Sequence, residues 1–318
     1  MSPYPFALLD HVDPARPEAS LELLSQRSYI PPGLEKDAQR FIPDEALKTA
    51  IHTALAVNSP LLLTGEPGTG KTQTAYYVAR MLGLGKVLHF QAKSGSTAQD
   101  LLYRFDNVAY FRESSTQKDP QKPLDKMDFI DKGELWTALD SHKPRVLLID
   151  EIDKASRDFP NDLLHELDQM CFRVPELSEA GKVYEVTPVS NLRPLVFITS
   201  NSERRLPEAF LRRCVFHHIH FNPDLMEKVI AAHKPDFTHL GDDFLNLALQ
   251  RFMQLRHENL RKVPATGEFL VWLRVMSLAI DSNPAQLQFL LAQLDKHDEL
   301  PYVGVLLKDH QDLQDYLY

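Results

Sequence analysis

Gly65-Glu66-Pro67-Gly68-Thr69-Gly70-Lys71-Thr72 is the stretch on which the fold of this chain turns. Its glycines let backbone N–H groups converge on an anion, and a helix beginning at its end aims a positive dipole at the same point. Immediately before it, Pro60-Leu61-Leu62-Leu63-Thr64 is a short unbroken apolar run, the pattern of a strand buried on both faces of a parallel sheet. Immediately after it, Gln73 to Leu82 continues as a helix. Strand, glycine-rich loop and helix in that order form the setting in which this spacing binds phosphate. The nucleotide is therefore expected on Gly65, Glu66, Pro67, Gly68, Thr69, Gly70, Lys71, Thr72 and Gln73. Lys71 reaches the β- and γ-phosphates of ATP, and the Thr72 hydroxyl is a ligand for Mg2+, which demands oxygen donors.

Further apolar runs lie at Val87 to Phe90, Val146 to Ile149 and Leu195 to Ile198, with a fifth candidate at Val215 to Phe221, and helical patterns fall between most of them. That alternation predicts an α/β fold, a parallel-sheet P-loop αβα core over 34–221. From Asp44, a plausible N-cap, Leu47, Ile51, Ala54 and Leu55 recur at helical spacing and lead into the first strand. Residues 1–33, rich in proline, read as an N-terminal arm. Polar excursions mark insertions near 95–132 and 173–193; Arg112 to Lys132 is expected to be exposed, and Val183 to Thr187 alternates as a hairpin arm does. Beyond Phe221 only helical spacing remains, as in Leu245, Leu249 and Phe252 and in Phe269, Leu270, Leu273 and Met276, so 222–318 reads as a small all-helical lid domain.

The run Val146-Leu147-Leu148-Ile149 ends in Asp150-Glu151. Acids at strand C-termini collect where ligands bind in such sheets. Asp150 suits the magnesium shell, and Glu151, one residue on, suits the water that attacks the γ-phosphate. Asp295-Lys296-His297-Asp298 is only loosely like the guanine-reading Asn-Lys-x-Asp: its Asn is replaced and it lies after the sheet has ended, so adenine is the expected base.

Composition narrows the partners. Of 318 residues, 35 are Lys or Arg and 44 Asp or Glu, a net charge of −9, which opposes coating by nucleic acid. Cys171 and Cys214 are too few for a disulfide framework, Cys214 is expected to be a buried small residue, and no apolar run approaches a membrane span. A cytoplasmic protein is expected. His217, His218 and His220 offer too few ligands in one geometry for a metal site, since only His218 and His220 share a strand face.

With these residues the chain resembles AAA+ ATPases, and among them the MoxR-like group. The loop 65–72 and the Asp150-Glu151 pair carry the first match. Leu195-Val196-Phe197-Ile198-Thr199-Ser200-Asn201 resembles the sensor 1 strand, which implies that Asn201 positions the attacking water. Leu206 to Arg213 resembles the segment bearing the arginine finger, which falls on Arg213 or Arg212. Ser96 to Leu102, Phe129 to Leu139 and Arg173 to Thr187 resemble the family's inserts. The resemblance implies a Mg-dependent ATPase with Glu151, Lys71, Asn201 and Arg213 or Arg212 as catalytic residues. It also implies a homo-hexamer whose finger acts on a neighbour, and chaperone-like remodelling of a protein client, for which a von Willebrand A domain protein is a candidate. One position departs. At Pro264-Ala265-Thr266-Gly267-Glu268-Phe269, where the family places its sensor 2 Arg, the chain has Gly267 and Glu268, with Arg261, Lys262 and Arg274 nearby in sequence. Two other readings are a nucleotide-switched binding module with little turnover and a motor directed at nucleic acid.

Overall fold

The computed structural model describes residues 33–116, 124–179, 182–189, 193–201, 206–296 and 299–317. Apart from Gly33, the N-terminal arm lies outside the described residues. So do 117–123 of the first insertion, 180–181 and 190–192 of the second, and His297 and Asp298 of the guanine-like segment. The described chain forms two compact units: residues 43–66 with 71–219, and residues 33–42 and 67–70 with 220–317.

Among the described residues, nine strands run through the first unit: β1 (Leu61–Gly65), β2 (Leu88–Gln91), β3 (Tyr103–Phe105), β4 (Ile130–Lys132), β5 (Val146–Asp150), β6 (Phe172–Arg173), β7 (Glu185–Val186), β8 (Leu195–Ser200) and β9 (Val215–Ile219). The five apolar runs become one parallel sheet in the order β2-β5-β8-β1-β9, with helices on its flanks. Every residue of β1 and of β5 is buried, which is why neither alternates apolar with polar residues. The register pairs Gln91 with Asp150, Ile149 with Ile198 and Leu61 with Phe197, so the C-terminal ends of β2, β5, β8 and β1 lie along one edge.

Local chemistry sets the helices on this frame. In Glu45–Val57 the Asp44 side chain accepts from Leu47 N at 2.7 Å, Leu47, Ala50, Ile51 and Ala54 turn one stripe inward, and Asn58 in the left-handed region ends the helix. The helix Lys71–Met81 buries Thr74, Ala75, Val78 and Ala79.

The polarity of 112–132 predicts an exposed excursion, and the structure departs from it. Helix Asn107–Thr116 has no buried residue, but Met127 and Ile130 pack on the core and β4 pairs antiparallel with β3, Tyr103 opposite Lys132. A few apolar residues in a charged segment carry too little periodicity to announce such a strand. In the second insertion β6 pairs antiparallel with β7, Phe172 opposite Val186.

In the second unit the helices Met226–His233, Asp242–Arg256, Thr266–Ser282, Gln286–Asp295 and His310–Leu317 surround Phe244, Phe252, Phe269, Trp272 and Met276. The Trp272 indole N–H finds an acceptor in Pro301 O at 2.6 Å. Buried Asp312 accepts from the backbone N–H groups of Arg261 and Lys262, both at 2.9 Å. Among the described residues no helix is long and apolar enough to cross a membrane.

Candidate nucleotide site

The glycine loop leaves β1 with Gly68 at φ +79° and Gly70 at φ +92°, conformations that a side chain resists. Space is short as well: a Cβ on Gly70 would lie 2.5 Å from the Phe41 ring, and one on Gly68 would lie 2.9 Å from Glu268 Oε2, which would have to move. The helix Lys71–Met81 starts directly after Gly70, so its first N–H groups face the loop. Lys71 is buried, and its ammonium donates to Gly65 O at 2.8 Å and Glu66 O at 2.9 Å. Burial pulls its pKa below the ordinary lysine value, although Asp150, Asp153 and Glu151 pull the other way. Gln73, assigned to the nucleotide from sequence, has its Oε1 buried with no hydrogen-bond partner among the described residues.

Asp150 ends β5 with a buried carboxylate that receives three side chains. Thr199 Oγ1 donates to Oδ1 at 2.5 Å, Thr72 Oγ1 lies 3.0 Å from Oδ1 and 3.3 Å from Oδ2, and His89 Nε2 lies 3.2 Å from Oδ2. Burial works to raise this carboxyl, but the hydrogen bonds from His89, Thr199 and Thr72 outweigh it and hold it below its usual range. The Thr72 hydroxyl and the Asp150 carboxylate thus form an adjacent pair of oxygen donors, the donor type that a hard cation such as Mg2+ takes.

Glu151 stands in the left-handed region at φ 56°, ψ 46°. A non-glycine residue held there is strained, and such strain persists where surroundings over-determine it. Four groups do so: its N–H donates to Thr199 Oγ1 at 2.9 Å, Lys154 Nζ and Gln91 Nε2 hold Oε2 at 2.7 and 3.1 Å, and Asn201 Nδ2 reaches Oε1 at 3.3 Å. The Lys154 bond, helped by Gln91 against some desolvation, keeps the Glu151 carboxyl below its usual range. Asn201 is itself fixed by its N–H, which donates to buried Asp153 Oδ1 at 3.2 Å.

Of the residues singled out from sequence, Lys71, Thr72, Asp150, Glu151 and Asn201 therefore lie along the same edge of the sheet. Arg213 and Arg212 follow helix Glu208–Leu211: Arg213 Nε bonds Asp168 Oδ2 at 2.5 Å and Arg212 Nη2 bonds Glu208 Oε1 at 2.5 Å. Among the described residues neither hydrogen-bonds to the Asp150–Glu151 group. At the sensor 2 position Glu268 accepts from Ala265 N at 3.1 Å and caps its own helix, while Arg274 bonds Asp236 and lies over the Phe237 ring. Cys214 is half-buried rather than fully buried, packed against the core, and desolvation pushes its thiol up to about 12.

Sequence reading passed over Thr199, His89, Gln91 and Tyr76. Thr199 left a signal, a polar residue near the end of an apolar strand. His89 and Gln91 flank Phe90 on β2 and left only the weak signal of alternation.

Residues 60–214 match the family model of the AAA domain, dynein-related subfamily. The chain is thus similar to AAA domains over that segment. Its span runs from the residue before β1 to the residue before β9, so it contains the loop, Asp150, Glu151, Asn201 and both arginines. Over 107 residues, 34% of this chain, the sequence is 33% identical to "ClpA homolog protein" of Fuscovulum blasticum, covering 12% of that protein. Over 131 residues, 39% of this chain, it is 31% identical to "Chaperone protein ClpB 1" of Nostoc sp. (strain PCC 7120 / SAG 25.82 / UTEX 2576), covering 13% of that protein. The chain matches only a small part of the length of either relative.

Proposed function

We propose that this AAA domain hydrolyses ATP with Mg2+, in a MoxR-like protein that assembles as a cytoplasmic homo-hexamer and remodels a protein client. The observation that carries the reading is the placement of Thr72 Oγ1 3.0 Å from Asp150 Oδ1, with Glu151 beside it held by Asn201 at 3.3 Å. Strand, loop, cation donors and a pinned carboxylate are the parts that phosphoryl transfer to water requires.

In this reading Lys71 exchanges the carbonyls of Gly65 and Glu66 for the β- and γ-phosphates, and its charge, already disfavoured by burial, gains an anionic partner. Magnesium, held by Thr72 and Asp150, neutralises phosphate charge when bound. Glu151, released from Lys154, takes a proton from water as the water oxygen bonds to the γ-phosphorus and the bridging oxygen leaves with ADP. Asn201 holds that water. Arg213 of one subunit, on leaving Asp168, stabilises charge on the phosphoryl group in the next; Arg212, tied to Glu208 on the same segment, is the second candidate. The Clp-named relatives support a protein client, and a von Willebrand A domain protein is the candidate suggested by the MoxR-like resemblance.

Glu151→Gln should bind a fluorescent ATP analogue as the parent does and show no turnover, and the ATPase rate per subunit should rise with protein concentration. Turnover by Glu151→Gln near the parent rate would sink the catalytic assignment, and a rate independent of concentration would sink the ring. The same variant, loaded with ATP, serves as a trap for the client.

The capping role of Glu268 and the engagement of Arg274 with Asp236 favour a second reading, a nucleotide-switched binding module. Single-turnover phosphate release without further cycles would select it.

A further inference from the structure

The functional reading above uses one face of the Asp150 carboxylate, toward Thr72. The other side is occupied by a chain of side chains for which that reading has no use. His89 Nε2 lies 3.2 Å from Asp150 Oδ2, and the opposite ring nitrogen, Nδ1, lies 3.0 Å from the hydroxyl of Tyr76. The Tyr76 and His89 rings meet edge to face at 6.0 Å. Tyr76 comes from the helix that begins with Lys71 and Thr72, His89 from β2 and Asp150 from β5, so three neighbouring elements converge on one carboxylate.

The hydrogen-bond roles follow from chemistry. An ionised carboxylate only accepts, so the ring presents Nε2–H to Asp150. A neutral imidazole then keeps a lone pair on Nδ1, which accepts the Tyr76 O–H. The tyrosine thereby fixes the tautomer that the aspartate needs. With the opposite tautomer, a lone pair would face Oδ2 and the bond would be lost. Asp150 has roughly four lone-pair directions, and His89, Thr72 and Thr199 aim donors at them. Thr72 and Thr199 both reach Oδ1, Thr72 also lies 3.3 Å from Oδ2, and His89 bonds Oδ2 without touching Oδ1. Without His89, the long contact from Thr72 is what holds Oδ2, and the setting of the carboxylate loosens.

We propose that His89, oriented by Tyr76, is a positioning residue that sets the Asp150 carboxylate relative to Thr72 for Mg-nucleotide. The inference rests on the functional reading, and its test separates the two. A fluorescent ATP analogue is titrated into the full chain in excess Mg2+ and in EDTA, and the Mg2+ concentration giving half of the affinity gain is recorded.

The parent should bind more tightly with Mg2+. In His89→Ala the half-effect Mg2+ concentration should rise about 10-fold, in line with losses on removing groups that orient a metal ligand, while binding in EDTA stays near the parent value. His89→Gln, whose amide can place a donor near the position of Nε2, should recover to within about 3-fold of the parent, and Tyr76→Phe should shift the same way by about 3-fold. Tyr76→Phe preserves volume and serves if His89→Ala fails to fold.

A parent that binds without any Mg2+ dependence overturns the functional reading. A Mg2+-dependent parent with His89→Ala and Tyr76→Phe both unshifted overturns the positioning role alone. So does an equal shift in His89→Ala and His89→Gln, or an equal loss of affinity in Mg2+ and in EDTA.

Discussion

Thr199→Val replaces a hydroxyl at 1% exposure by a methyl of nearly the same shape, and the structure specifies what is lost. One bond is the 2.5 Å donation to the Asp150 carboxylate, and hydrogen bonds to charged groups contribute about 1.5–3 kcal/mol. The other is the acceptor for Glu151 N–H at 2.9 Å; an unsatisfied, partly buried donor costs about 1 kcal/mol, the low end of the range. The buried methyl offsets up to about 1 kcal/mol. The net expectation is a destabilisation of about 2–3 kcal/mol. The assay is urea unfolding, followed by thermal unfolding, where each kcal/mol moves the midpoint by about 2–4 °C for a unit of this size. Thr199→Ser keeps the oxygen and should lose only about 1 kcal/mol for its missing methylene-sized group. The Asp150 carboxyl is held low in the native state, so the stability that it contributes is present above the unfolded carboxylate pKa and is lost as pH falls through the folded value. Thr199→Val gives up part of that depression, so the gap between parent and variant should narrow as pH drops below about 4. A valine variant within 0.5 kcal/mol of the parent, on the order of the scatter for surface changes, refutes the reasoning. So does a serine variant less stable than the valine one.

Glu151→Ala and Glu151→Gly both remove the side-chain bonds, so their difference reports the backbone alone. The left-handed region costs a Cβ about 1–2 kcal/mol and glycine gives back part of that in unfolded-chain entropy, so the glycine variant should be more stable by about 0.5–1 kcal/mol in urea unfolding, with neither turning over ATP. Gly133→Ala should destabilise by about 3 kcal/mol or more, since its Cβ would collide with the Leu101 carbonyl oxygen, a backbone atom that cannot swing aside; soluble yield and melting temperature would show it. His233 is pushed down to about 4 by burial and by Arg40 and Arg274, despite Asp236 at 3.6 Å. Its folded pKa lies below the unfolded value of about 6.5, so stability is complete above that and falls between there and about 4, where only the unfolded chain takes the proton. The loss should be about 2 kcal/mol after discounting for solvent screening, and His233→Gln should flatten that part of the pH–stability curve.

The sequence alone carried what depends on neighbours along the chain. Glycine spacing, an apolar run before it and a helix after it define the loop whatever surrounds them, and an Asp-Glu pair ending a buried run marks the edge where ligands sit. The central strands β1, β5 and β8 were legible because a strand covered on both faces carries few polar residues in its middle, whereas the edge strands β2 and β9, with His89 and with His217 and His218, showed this less clearly. The pairing of β3 with β4 was not, because a short strand in a charged segment owes its existence to the partner that it meets. Nor were His89, Tyr76, Gln91 and Thr199 as companions of the two acids. Their relation to Asp150 and Glu151 comes from strand order β2-β5-β8-β1-β9 and from register, which set residues 61 and 48 positions apart at hydrogen-bonding distance. The sequence determined which residues the glycine loop and the strand ends carry. The tertiary structure decided which donors orient them, because hydrogen bonds act over about 3 Å and only folding brings distant strands that close.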